Sequence, residues 1–167
     1  TGQNMKMGCI DIDNPANISD RRTRTLIKGF CTKLENDDVP YIIMFTGNQW
    51  QIWFGTNHIG DIVSFQEVNT YIREELAKGL DVVVGRGPKA IEEAQIRERA
   101  LIDESVNDKN SMLGMFFGMH YKPQYRPTDK PGTGLVRVPV TLSQLSTFDP
   151  IIDAHPENVM KEFSSLS

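Results

Sequence analysis

Met7-Gly8-Cys9-Ile10-Asp11-Ile12-Asp13-Asn14-Pro15 is an apolar run that ends on two acids one residue apart. In a strand, residues i and i+2 point to the same face. Asp11 and Asp13 are thus expected side by side, with Ile10 and Ile12 turned to the other face. Carboxylates held that close repel unless a cation sits between them. Hard divalent ions take oxygen ligands of this kind, commonly with phosphate oxygens completing the shell. The pattern points to a metal site for phosphate chemistry, of the one- or two-metal kind. Asp-x-Asp also occurs in turns, caps and solvated strand ends. The apolar lead-in favours a buried strand delivering the acids at its C-terminal end, and Asn14-Pro15 marks the break into a loop.

Moving outward, Ser19 reads as a helix N-cap with Asp20 in the first turn. Leu26, Ile27, Phe30, Cys31 and Leu34 recur at helical spacing, which predicts an amphipathic helix over 20–35. Residues 41–46 read as an apolar strand, Thr46-Gly47-Asn48-Gln49 as a hairpin turn and 50–54 as the return strand. A second helix is expected over 64–78 and a short strand over 80–84. Gly85-Arg86-Gly87-Pro88 reads as a loop and 89–98 as a helix. Ala100-Leu101-Ile102-Asp103 is another short strand ending on an acid.

Residues 112–121 read as strand or buried helix, 123–134 as a loop and 135–140 as an alternating strand. A helical turn over 141–148 and a terminal helix over 157–164 complete the pass. Strands and helices without regular alternation indicate an α+β domain with antiparallel or mixed sheets.

The 167 residues suit one domain spanning 1–167, with 39% apolar and 24% charged side chains. No apolar run approaches a membrane span, and the first residues lack a signal-peptide pattern. Cys9 and Cys31 lack metal-type spacing and are expected reduced, in a cytoplasmic setting. A net charge of −4 argues against a chain coated in positive charge for nucleic acid, but not against a local basic groove. Arg21, Arg22 and Arg24 form one basic cluster, which reads first as a solvated face and only second as a ligand site.

Asp103 is the candidate third acid of a metal site; the alternative is a cap for the turn Glu104-Ser105-Val106-Asn107. In this order the features resemble the archaeo-eukaryotic primase superfamily. That superfamily includes the small catalytic subunits of primases and the polymerase domains of bacterial end-joining ligases. Ile10-Asp11-Ile12-Asp13 is similar to its first motif. Thr46-Gly47 leading to Gln51 resembles its Ser-Gly turn and following His, with Thr for Ser and Gln for His. Leu101-Ile102-Asp103 resembles the strand bearing its third acid. Gly118-Met119-His120-Tyr121-Lys122, Gly132-Thr133-Gly134, Val138-Pro139 and Phe148-Asp149-Pro150 resemble the elements that follow. These motifs cover roughly residues 7–55 and 99–151.

The resemblance implies a template-dependent nucleotidyltransferase of primase or polymerase type, working in replication or repair. Asp11, Asp13 and Asp103 would be the catalytic acids, holding Mg²⁺ or Mn²⁺. Thr46, Gly47, Gln51, His120 and Lys122 would contact the nucleotide. Nucleoside triphosphates and a DNA or RNA primer–template would be the partners, together with a larger replication or repair protein or attached domain. Such domains normally carry more structure ahead of the first motif, so a minimal or excised version is expected. Two alternatives stay open: a primase-like subunit that binds nucleotide or nucleic acid without strong catalysis, and an unrelated metal-dependent phosphohydrolase. Trp50 and Trp53 read as core aromatics or as base-stacking platforms.

Overall fold

The computed structural model describes residues 6–61, 63–108, 118–122 and 127–166. Strand β1 (Met7–Asp13) lies inside a six-stranded sheet, flanked by β3 (Trp50–Gly55) and β5 (Ala100–Asp103), both antiparallel to it. The strand order is β4-β5-β1-β3-β2-β6, where β2 is Tyr41–Phe45, β4 is Val82–Gly85 and β6 is Val138–Val140. All neighbours are antiparallel except β4 and β5. Those two are parallel because α3 (Gly87–Ile96) crosses between them, as a parallel pair requires. The result is an α+β architecture with a mixed sheet.

Alternation along β1 separates the two faces of the sheet. Ile10 and Ile12 are buried in the main core with Ile52, Phe54, Ile43 and Phe45. Helix α1 (Asp20–Asn36) covers this face with the predicted stripe, and Phe30 and Leu34 are fully buried. Ser19 caps it by accepting the Arg22 N–H. It ends where Asp38 adopts φ +56°, a left-handed conformation that Asp tolerates, and the Val39 N–H turns back to the Leu34 carbonyl at 2.9 Å.

Several predicted elements differ. The expected helix over 64–78 is an α-helix only over α2 (Phe65–Tyr71), after a Ser64/Glu67 capping box, and then widens into a π-helical turn, Ile72–Leu76. Val68, Ile72 and Leu76 are all buried. Their spacing of four drifts off a 3.6-residue stripe, and the wider turn keeps them on one face. Helix α3 starts at Gly87, earlier than expected, because Pro88 suits the first turn of a helix and Gly87 supplies φ +80°.

The edge strand β6 is shorter than the expected 135–140. Upstream of it Val136 makes only an isolated bridge to Met119. A short helix α4 (Pro150–Asp153) precedes α5 (Pro156–Leu166). Of the segment expected as strand or buried helix, residues 112–117 lie outside the described residues. Among the described residues, no helix is long and apolar enough to cross a membrane.

Candidate metal centre

Asp11 and Asp13 leave β1 on the face opposite the core, both partly buried. Asp103 ends the neighbouring strand β5. Register sets the approach: Ile12 pairs with Ile102 and Asp13 with Leu101, so the two strand ends meet. One carboxylate oxygen from each of Asp11, Asp13 and Asp103 lies within 4.8 Å of the others.

Asp103 lies beside the other two acids and also caps a turn. Its Oδ1 accepts the Ser105 N–H at 2.9 Å and the Ser105 hydroxyl at 2.7 Å, capping the short 3₁₀ turn Glu104–Asn107. The cap fixes the carboxylate that faces Asp11 and Asp13. Asp11 Oδ1 accepts from Gln51 Nε2 at 3.3 Å. Gln49, with its amide nitrogen toward the acid, donates to Asp13 Oδ1 and to the Ile12 carbonyl at 3.2 Å. Among the described residues, these hydrogen bonds all fall on Oδ1, so the second oxygen of each acid is left for another partner.

Crowding and burial show in the acidities. Burial raises Asp11 to about 6, with Asp103 adding to the rise while the Gln51 hydrogen bond and Arg137 oppose it. Burial, then Asp11 and Asp103, raise Asp13 to about 7, with the Lys122 ammonium opposing. A cation among the three would relieve both causes. The donor set is all hard oxygen, which fits a divalent ion such as Mg²⁺ or Mn²⁺.

Gln51 does not stand apart as a phosphate contact. It is buried directly across from Asp11 in the β1–β3 register. Besides donating to Asp11, it accepts from Trp53 Nε1 at 3.0 Å and from Arg137 Nη1 at 3.3 Å. Its amide thus links Arg137 to the acid. Arg137 was not singled out as a site residue by the sequence. A signal was present in the alternation of residues 135–140: Asp11, Gln51, Met44 and Pro139 form one cross-strand row, and Arg137 lies two residues from Pro139 on the same face.

The hairpin turn meets the segment around His120. Gly47 has φ +103°, and a Cβ there would come within 2.3 Å of the His120 Cβ. Glycine therefore serves both the turn and the close approach. Thr133 ties the two together. Its hydroxyl donates to the Gly47 carbonyl at 2.6 Å, and its N–H donates to His120 Nδ1 at 3.0 Å. An Nδ1 that accepts leaves the proton of the neutral ring on Nε2. Burial, then Lys122 and Arg137, lower the His120 pKa and favour that neutral form.

Lys122 is exposed and acts electrostatically on both Asp13 and His120. Thr46 is buried, and its hydroxyl is engaged within the turn, donating to the Gln49 carbonyl and accepting the Gln49 N–H, each at 3.1 Å. Trp50 belongs to the core, packed edge-on against Phe45 and Phe148. Cys9 and Cys31 are both free thiols and buried.

This sheet, with acids on adjacent strand ends and a Gly turn set against a His segment, has the fold of a solved polymerase domain. Its likeness is to the polymerase domain from Mycobacterium tuberculosis Ligase D, solved in complex with DNA. The match has a TM-score of 0.70 at 12% sequence identity and covers 97% of this chain. The chain spans about half the length of that polymerase-domain chain, 52% of it. No protein-family model matches the sequence, and no curated protein sequence matches it.

Proposed function

We propose that this domain is a nucleotidyltransferase of the primase–polymerase type, adding nucleotides to a primed nucleic-acid strand. The observation that carries the reading is the convergence of Asp11, Asp13 and Asp103, with carboxylate oxygens within 4.8 Å, on a fold like that of a polymerase domain solved with DNA. Mg²⁺ or Mn²⁺ held by these acids would supply Lewis-acid stabilisation of phosphate charge and activation of the attacking hydroxyl.

The chain's own residues divide the remaining work. Asp103 is held by Ser105, Asp11 by Gln51 backed by Arg137, and Asp13 by Gln49, so all three acids keep their positions as the reacting groups arrive. His120, with its proton on Nε2, is suited to donate a hydrogen bond to a phosphate oxygen. Lys122 adds a point charge beside Asp13 and offsets phosphate charge as a flexible ammonium. Thr46 contributes by shaping the turn that brings Gly47 to His120. An attached domain or partner protein would add affinity for the primer–template, since the chain is net acidic.

Primer extension tests the reading, using labelled primer–template, all nucleotides and Mg²⁺ or Mn²⁺. The expected result is extension by the wild-type chain and its loss in both Asp11→Ala and Asp103→Ala. Absence of extension by the wild-type chain at either ion would overturn it.

A second reading, a nucleotide- or nucleic-acid-binding subunit, is favoured by one observation. Gln51, at the position of the family's His, is uncharged and committed to Asp11. Metal-dependent nucleotide binding that needs Asp11, without extension, would select it. Pyrophosphate release without primer and template would instead select a phosphohydrolase.

A further inference from the structure

On the core side of the sheet, α1 and the segment 146–150 enclose an open groove of about 750 Å³. Its cationic wall is Arg21, Arg24 and Lys28, and Thr25, Ser146 and Thr147 add hydroxyls. Of the two acids in the groove, Asp20 is ion-paired and Asp149 keeps its charge while capping a helix, so three cations face two carboxylates. Asp20 Oδ2 lies 2.7 Å from Arg24 Nε, and Asp149 Oδ1 accepts the Ile151 N–H to cap α4.

Arg24 is itself fixed. It donates to the Leu145 carbonyl at 2.5 Å and sits over the Trp50 ring at 5.8 Å. Arg21 and Lys28 are exposed and have no ion-pair partner among the described residues. Arg22, Arg73, Arg86, Arg97 and Arg99 are all paired with acids. Among the described residues Lys78, Lys89 and Lys161 also stand without an ion pair; Arg21 and Lys28 differ from them in lining one groove together, beside Arg24.

Their spacing suits a linear polyanion. Arg21 and Lys28 are seven residues apart on one helix face, roughly 10 Å along the axis, room for several successive phosphates of one strand. The position suits the same ligand. Trp50, beneath Arg24, pairs with Ile12, the residue between the two β1 acids. The groove therefore backs onto the acid-bearing stretch through the sheet, and α1 begins just beyond the loop that follows Asp13.

We infer that this groove binds the phosphodiester backbone of a nucleic-acid strand that passes round the end of the sheet from the acids. Arg21 and Lys28 contact the phosphates. The inference extends the polymerase reading, on which it rests for the kind of ligand. Its readout is binding, so the two stand or fall separately.

The test is fluorescence anisotropy of a labelled single-stranded oligonucleotide of about twenty nucleotides, titrated between about 50 and 200 mM salt. The wild-type chain is compared with Arg21→Gln/Lys28→Gln. Both positions are exposed, so the folded core is left untouched. Losing two phosphate contacts is expected to flatten the slope of log affinity against log salt by about 1.4 and to weaken binding about tenfold near 0.1 M salt. The loss should be the same for every oligonucleotide sequence, and Asp11→Ala should keep the wild-type slope.

A double variant with wild-type affinity and slope would overturn the groove. So would a wild-type chain that binds no oligonucleotide. Full displacement of the oligonucleotide by millimolar inorganic phosphate would also overturn it, showing a site for a free anion. A wild-type chain that extends primers beside an unaffected double variant removes the groove and leaves the polymerase. The salt signature without extension keeps the groove and removes the polymerase.

Discussion

The two faces of β1 carry different burdens on the same seven residues. Ile10 and Ile12 are fully buried in close-packed core, whereas Asp11 and Asp13 are half-buried with pKa values of about 6 and 7. The core face gains free energy from burial. The acid face loses some in the metal-free protein, because it holds carboxylates where charge is costly. Stability and site chemistry are thus separable in this strand residue by residue, and each can be perturbed while the other reports.

The largest effect is expected on the acid face. Asp11→Ala or Asp103→Ala should lower nucleotide transfer by about a thousandfold or more, equivalent to roughly 4 kcal/mol or above. Thermal stability without metal should be unchanged or higher in Asp11→Ala, whereas Asp103→Ala also loses its cap on the Glu104–Asn107 turn, a cost of about 1 kcal/mol. Single-turnover extension and a melting curve on the same sample check both, and a fall in the melting temperature of Asp11→Ala would break the separation. The core face should do the reverse. Phe30→Ala, in the core that Ile10 and Ile12 share, should cost about 3–5 kcal/mol in denaturant unfolding. Metal binding by the fraction still folded should be unaltered.

The pH dependence sharpens the contrast. Both acids have folded-state values above the roughly 3.9 of an unfolded Asp. Their contribution to stability is therefore fully present below about pH 4 and is lost as pH rises through about 6 and 7. The metal-free protein should melt at a lower temperature at pH 8 than at pH 5. A difference on the order of 1–2 kcal/mol is expected once solvent screening of a partly exposed site is discounted. Mn²⁺ should raise the melting temperature strongly at pH 8 and little at pH 5. Equal increments at both pH values would remove the acids as the metal's ligands. The smallest effect is expected from Gln51→Leu, which frees Asp11 from Arg137 and should weaken Mn²⁺ binding about tenfold without unfolding the chain; calorimetric titration measures it.

Strand β1, helix α1, the β2–β3 hairpin and all three acids were legible in the sequence, because each is written locally. Apolar runs end on acids, a stripe recurs at helical spacing, and Ser19 and Gly47 mark a cap and a turn. Partnership across the sheet was not legible. Gln51 reads as a phosphate contact when only its motif is visible. Its commitment to Asp11 and Arg137 depends on the register of four strands. The widened turn after Tyr71 is hidden for a similar reason: a spacing of four is compatible with an ordinary helix until Val68, Ile72 and Leu76 must share one buried face. Gly87-Pro88 reads as a breaker by composition, although its geometry opens a helix.

Asn107 lies four residues beyond Asp103 and replaces a missing stretch of strand. Its side chain accepts the Cys9 N–H at 2.9 Å and donates to the Cys9 carbonyl at 2.8 Å, as a peptide unit would. The buried Asn69 amide receives its other proton at 3.0 Å. The consequence is a ruler. A slide of β5 by two residues keeps every side chain on its proper face, so alternation alone does not forbid it. Such a slide would carry Asp103 about 6.6 Å along β1, farther than the 4.8 Å that now gathers the three carboxylates. By gripping Cys9 at a set distance from the third acid, one asparagine makes that slide cost two buried hydrogen bonds, and so sets the length scale of the centre.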